Sequence, residues 1–374
     1  MMVNQSSKTY DRIQYQPERD RFLAVLHKKV EAYFISGSKS KFATANFYWK
    51  ALFLFATYVG FYFSFLFLEP TFLTLFGYIL MGPIAIIIGL NVAHDAAHGI
   101  ISKRSWVNQV FLFTFDFLGA SSAIWKKRHV ESHHKFSNIL NEDADLKQTP
   151  LVRIFPSDDI RKINRYQHLY MPFIFLNYTL FWLLFRDFQD LRNKGKGSSI
   201  RLEFSKLEIT LIVIFKLFYF TYILIIPLVF AEFAWWQVLI AYVLMNWLAG
   251  ITITLALVPA HVASTSEFPL PDKNGVMPHS WSHHQLLTTT DYATDRSIIN
   301  WLMGGFNHHI AHHLFPRINH VHYKEITPLV KQTAKEFGLP YNYESSLYNA
   351  YISHFNLLRN NGWKHWDELE KAAL

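Results

Sequence analysis

The 374-residue chain contains no cysteine. That excludes disulfides, thiolate metal sites and cysteine nucleophiles. Charged residues are scarce as well, at 17%, below the usage of an ordinary soluble domain. Nor does the start of the chain read as a secretory signal. "SKTYDRIQYQPERDRF" is polar and charged, with no apolar core ahead of a small-residue cleavage site. Apolar and aromatic residues take up the difference: 51% of the chain is hydrophobic, with 34 Phe, 19 Tyr and 11 Trp. Sparse charge beside so much apolar surface implies that lipid is part of the solvent. The net charge of +8 fits either nucleic acid or an anionic membrane surface, and its distribution decides between them.

Four apolar runs are long enough to cross a bilayer, which takes roughly 20 helical residues. They are 51–68, 71–93, 209–230 and 234–258. Glu69-Pro70 joins the first two and Ala231-Glu232-Phe233 the last two, so each pair is a tight helical hairpin with both tips on one side. The tips carry no Lys or Arg, whereas residues 1–50 carry nine, from Lys8 to Lys50, and 94–206 carry many more. The positive-inside rule then places both termini and the central segment in the cytoplasm. The basic excess reads as a membrane-facing cap, so no nucleic-acid partner is expected.

The fold class that follows is an all-α integral membrane protein: four transmembrane helices as two hairpins, interfacial helices and a cytoplasmic helical cap. We read 1–374 as one domain. Its segments are 1–48 (cytoplasmic), 49–93 (first hairpin), 94–206 (cytoplasmic and interfacial), 207–258 (second hairpin) and 259–374 (cytoplasmic). Stretches 107–124 and 169–185 are expected as helices lying in the interface, Asp116 arguing against a crossing by the first. Lys216 is expected to snorkel to the membrane edge, and Pro227 to kink its span. The polar run "RNKGKGSS" (192–199) is the one low-complexity segment.

Nineteen histidines are sorted by this topology. His94 and His98 ("HDAAH") follow the second run. His129, His133 and His134 ("HVESHH") lie in the central segment. His261 follows the fourth run at the same depth as His94, and "NHHIAHHLFP" (307–316) lies in the last segment. On a helix, residues three or four apart share a face, so the clusters converge on one cytoplasmic surface. Neutral imidazole suits Zn, Fe, Cu or Ni. A single zinc takes at most four ligands, so nine imidazoles suit two metals with four or five each. A carboxylate-rich site of the ferritin type needs Glu-x-x-His on two helices, and only Glu131 with His134 has that spacing. On a helical wheel His309, His312 and His313 share an arc of about 100°, and His308 extends it by about 40°. We therefore expect three ligands and one neighbour there. Lone histidines such as His27, His168, His354 and His365 are read as ordinary surface residues.

In order and at this depth, "HDAAH", "HVESHHKFSN" and "HHIAHHLFP" resemble the three histidine boxes of the membrane fatty acid desaturase family, from about Trp49 to Tyr323. The "LFP" tail is most similar to linoleoyl-CoA and front-end desaturases, which insert a double bond on the carboxyl side of an existing one. The resemblance implies a di-iron centre, two iron ions held by His94, His98, His129, His133, His134, His261, His309, His312 and His313, with O2 as co-substrate. His309 stands where front-end enzymes often carry Gln; stearoyl desaturases have His there, so it is counted as a ligand. Leu257 stands where stearoyl-CoA enzymes have a water-binding Asn. The resemblance also implies a fatty acyl substrate, CoA- or lipid-linked. No His-Pro-Gly-Gly haem motif occurs, so a separate electron donor such as ferredoxin or cytochrome b5 is expected.

"HSWSHHQ" (His279, His283, His284) repeats the spacing of the second box, but the family pattern puts His284 and Gln285 beside the metals rather than on them. Metal-bound imidazoles usually donate their free N–H to a carboxylate or carbonyl. Asp95, Asp145, Asn307 and His308 are candidates for that outer layer or for substrate contact, with Asp143, Asp291 and Asp295 near in sequence. His320 and His322 are expected near the tunnel entrance or at the surface. The alternatives are a hydroxylase or ketolase built on the same histidines, and, further off, a transporter. Transport is disfavoured because the histidines gather at the membrane edge, not at mid-bilayer.

Overall fold

The computed structural model describes residues 12–146, 149–193 and 202–364. His365, Lys8 and most of the 192–199 run lie outside the described residues. Four helices are long and apolar enough to cross a membrane: Ala45–Phe67, Phe72–His98, Lys206–Phe230 and Trp235–His261. Each extends beyond the apolar run that marks it, and the second and fourth continue through His94, His98 and His261. Of their most apolar stretches, 39% and 44% of residues are buried in the second and fourth spans, against 28% in the first and third. The second and fourth are therefore the central pair. They approach so closely at Gly82 that a Cβ there would collide with the Met245 carbonyl oxygen, a contact only glycine permits. The first span meets the third through tyrosines: Tyr62 donates to the Tyr222 carbonyl (2.7 Å), and Tyr222 to that of Phe117 (2.8 Å).

The two stretches expected as interfacial helices are both broken. Ser105–Phe117 turns into Ser122–Phe136 at 113°, and Lys162–Leu176 into Tyr178–Asn193 at 68°. The first break falls at Gly119, whose φ of +90° suits glycine. A Cβ there would also lie 2.8 Å from Leu183 and Tyr219. The bend carries the second histidine box inward beneath the cap.

Lys216 does not snorkel. Its side chain is 7% exposed and pairs with Asp187 at 2.7 Å, donating also to the Gly119 carbonyl at 2.6 Å. A carboxylate within reach makes staying inside less costly than the lysine's excursion to the interface. Around Pro227 the third span relaxes into a π-helical turn at Thr221–Ile225, which accommodates the proline's missing donor.

The cap packs around a second apolar core. The amphipathic helix Phe22–Ser36 buries Phe22, Leu26, Val30 and Phe34, which join Ile310, Leu314 and Val330. Helix Tyr323–Glu336 supplies the facing stripe. The described residues at the two ends of the chain therefore lie on one side of the spans. Two short parallel strand pairs tie the cap further: Gln14–Gln16 with Val276–Ser280, and Asp291–Tyr292 with Tyr343–Glu344. They are the only departures from an all-α fold among the described residues.

Candidate metal centre

Three departures from a plain α-helix aim the histidines. A π turn at Gly89–Ala93 precedes His94. A longer one, Lys127–His133, carries most of the second box. The expectation of a regular α-helix there is corrected: i→i+5 geometry lets His129, His133 and His134 diverge toward two centres rather than share one face. In the third box the helix begins at His309, with His308 as its N-cap. His308 therefore stands outside the helical arc.

Nine imidazoles converge. His94, His98, His129 and His312 form one group, and His133, His261, His309 and His313 a second; in each, one nitrogen per ring lies within 4.8 Å of all the others. His134 sits between them, grouped with His312 and His313 and 3.1 Å from His129 by Nε2. The Nε2–Nε2 distances are 3.2 Å for His94–His129, 3.0 Å for His133–His261 and 2.8 Å for His261–His309. Two nitrogens bound to one metal at about 2.1 Å and at about 90° to each other stand about 3 Å apart, and at the tetrahedral angle about 3.4 Å. All nine rings except His98 are buried, and His98 is partly so.

The tautomers are set from outside. His129 Nδ1 donates to Asp145 (3.0 Å) and His133 Nδ1 to Asp143 (2.9 Å). His261 donates to the Thr288 carbonyl (3.1 Å) and His309 to that of Phe306 (3.1 Å). His312 donates to the Tyr323 hydroxyl (3.2 Å) and His313 to Gln285 Oε1 (2.8 Å). With Nδ1 carrying the proton, each Nε2 lone pair is free to face inward. Burial, reinforced by neighbouring imidazoles, holds His309, His312 and His313 well below the ordinary histidine range, which favours the neutral rings that metal binding requires. The Nε2 atoms of His98 and His312 are buried without a hydrogen-bond partner among the described residues. Such orphans are costly unless something else occupies their lone pairs. This donor set fits metal ions, and its all-nitrogen character suits transition metals rather than Mg or Ca.

Two apolar cavities reach the cluster. One, of about 320 Å³, is bordered by His129, His133, His261 and His309 and runs between the fourth span and the 167–182 segment. The other, of about 120 Å³, begins at His94 and penetrates among the spans toward Tyr58, Met81 and Tyr219. Leu257 lines both, so the place of the water-binding Asn offers an apolar wall and no polar ligand.

The sequence model of the fatty acid desaturase family matches residues 70–345. The chain belongs to that family. A relative from Synechocystis sp., named sn-1 linoleoyl-lipid 6-desaturase, is 31% identical over 95% of this chain and 99% of its own. The acyl-lipid (8-3)-desaturases of Physcomitrium patens and Mortierella alpina are 30% and 28% identical, each over 92% of this chain and 72% and 78% of theirs. The chain is a desaturase, and its family together with the four candidate spans implies an integral membrane body, an acyl-lipid substrate and a source of electrons.

The remaining candidates separate on geometry. Gln285 and Asp145 touch cluster histidines. Asp95 lies 3.5 Å from His94 Nδ1 and accepts from Asn319 (2.7 Å) and His320 (2.6 Å). His284 donates to the Ser137 carbonyl (2.8 Å) and touches no metal group; burial lowers it to about 4. Asn307 is directed to Asn300 at 2.5 Å, away from the cluster. His308 contacts Thr327 (2.8 Å) and Asn300 (3.2 Å). Asp291 accepts from the Ile310 amide (2.8 Å), so it caps the third-box helix rather than holding an imidazole. Asp295 is exposed beside Arg296.

His320 and His322 are buried, not superficial, and so are His168 and His354. His354 donates to the Val262 carbonyl at 2.7 Å, steadying the end of the fourth span one residue past His261. Tyr323 and the carbonyls of Thr288 and Phe306 had no signal in the sequence. A backbone acceptor has no residue type, and Tyr323 meets His312 only through the fold.

Proposed function

We propose that this desaturase places a cis double bond in the acyl chain of a membrane lipid, on the carboxyl side of an existing double bond, using two irons and dioxygen. The observation that carries this reading is the pair of four-nitrogen histidine groups at the junction of two apolar cavities. The names of the Synechocystis, Physcomitrium and Mortierella relatives support a lipid-linked, front-end substrate. The eight box histidines and His261 are assigned as ligands: His94, His98, His129 and His312 to one iron, His133, His261, His309 and His313 to the other, and His134 between them.

Bound iron supplies the reductive activation of dioxygen that cleavage of unactivated C–H bonds requires. In the overall balance, one O2, two electrons and two protons, with two hydrogens from adjacent methylenes, yield the alkene and two waters. The two electrons come from a separate small redox protein, a ferredoxin or cytochrome b5, docking on the cap side of the spans.

The chain's own residues do the rest. Asp143, Asp145, Gln285 and Tyr323 each accept a single hydrogen bond from the outer nitrogen of one imidazole, so the ligands need not reorganise. The aliphatic and aromatic cavity walls exclude water and hold one methylene pair near the metals. Phe306, with its ring 4.5 Å from that of His94, lines both cavities beside the histidine groups.

Expression in a host that supplies electron donors, followed by gas chromatography and mass spectrometry of total fatty acids, tests the reading. A new cis alkene on the carboxyl side of an existing double bond is expected. Hydroxylated or keto products without a new alkene would overturn it.

A further inference from the structure

The ion pair between Lys216 and Asp187 lies outside the metal site, yet it is almost wholly enclosed, with side chains 7% and 1% exposed. Lys216 belongs to the third span. A charged side chain on a span is seldom retained without a task. Charge pairing alone does not supply one, since a buried pair is often no more stabilising than apolar residues of the same volume.

Asp187 has a second partner: its Oδ1 accepts the indole N–H of Trp182 at 3.0 Å. The Lys216 ammonium donates to the Leu183 carbonyl at 3.3 Å, the residue after Trp182. The indole is flanked on its face as well. The Arg128 guanidinium lies 5.8 Å from the ring centroid and is itself held by Asp190 (2.7 Å) and Asp145 (3.3 Å). Asp145 accepts from His129. Trp182 is thus fixed from two sides by buried charges, and one of those sides leads to a cluster histidine.

Trp182 also lines both cavities, with Trp125, Ile253, Leu257 and Phe306. An acyl chain occupying both must pass this wall. Trp125 stacks directly on His129 at 4.3 Å, so its place is set by the metal site. The indole N–H of Trp182 is held instead by the Lys216–Asp187 pair, which touches no cluster histidine.

We propose that Trp182 is a positioning residue for the double bond: the acyl chain bends around its indole, and the Lys216–Asp187 pair fixes that indole. A shift of the indole slides the chain and presents a different methylene pair. This inference rests on the acyl desaturase reading.

The test compares the wild type with Trp182→Phe, Trp182→Leu and the double variant Lys216→Met with Asp187→Leu. All four are expressed in the same host, and iron per chain is measured beside the position of the new double bond, read by mass spectrometry of derivatised fatty acids. The wild type is expected to give one position. The Leu and double variants are expected to retain iron and to move part of the product to a neighbouring position, and Trp182→Phe, which keeps a ring but loses the donor, to move less of it. Product at the wild-type position alone, whatever the yield, overturns the proposal, because a purely structural staple lowers yield without displacing the bond. Loss of alkene in all three variants overturns it too, with or without iron. A wild type that makes no alkene fails the desaturase reading instead.

Discussion

The Nε2 nitrogens of His261 and His309 face each other at 2.8 Å across 48 residues of sequence. Each ring has its Nδ1 proton committed to a carbonyl, Thr288 for one and Phe306 for the other. Two lone pairs therefore point at the same space, an arrangement that is repulsive until a cation enters it. His261→Ala should cost about one of two irons per chain and lower alkene formation roughly 100-fold or more, beyond the usual effect of an outer-layer change. Elemental analysis and product assay of the same preparation check both. Full iron content in this variant would show that His261 is not a ligand.

The four histidines of "NHHIAHHLFP" divide in the same way. His308 is satisfied by Thr327 and Asn300, whereas His312 Nε2 is an orphan inside the cluster. His308→Ala should leave most of the iron and activity, and His312→Ala should abolish activity. Equal losses in the two variants would contradict the division.

Asp143 and Asp145 act one bond further out. Asp143→Asn and Asp145→Asn weaken the orientation and basicity of His133 and His129, so iron affinity should fall about 10- to 100-fold in each. Competition with a graded chelator measures this. Asp143 also accepts from the Asn138 and Asp145 amides, so its variant should show the larger loss of thermal stability as well. An affinity unchanged in both variants would mean that these carboxylates serve only the loop.

The spans and the boxes were legible because their signals are local: long apolar runs, and histidines spaced for a helix. The assembly of the nine rings followed from topology alone, since two hairpins bring the ends of the second and fourth spans to one level. What escaped were features that depend on distant neighbours. Nothing in a hydropathy profile distinguishes a lysine that snorkels from Lys216, which finds Asp187. At Gly119 the break coincides with the close approach of Leu183 and Tyr219, and the π turn of the second box leaves no mark in a spacing that suits a plain α-helix equally well. His354 looked like a surface residue, and His320 like one at the tunnel entrance or the surface, because their partners, the Val262 carbonyl and Asp95, lie 92 and 225 residues away.

The buried pair has a stability consequence of its own. Lys216→Met leaves the Asp187 carboxylate enclosed without its counter-ion, which should cost about 3–5 kcal/mol. Replacing both partners with apolar residues should recover most of that loss. Apparent melting temperatures in detergent compare the two variants. A double variant no more stable than Lys216→Met alone would mean that the single loss arises from packing rather than from an uncompensated charge.

Metal content of the wild-type chain, purified in detergent and measured by inductively coupled plasma mass spectrometry, tests the centre of this account most directly. Two irons per chain are predicted, from two groups of four nitrogens with His134 between them. One zinc and no iron would contradict it.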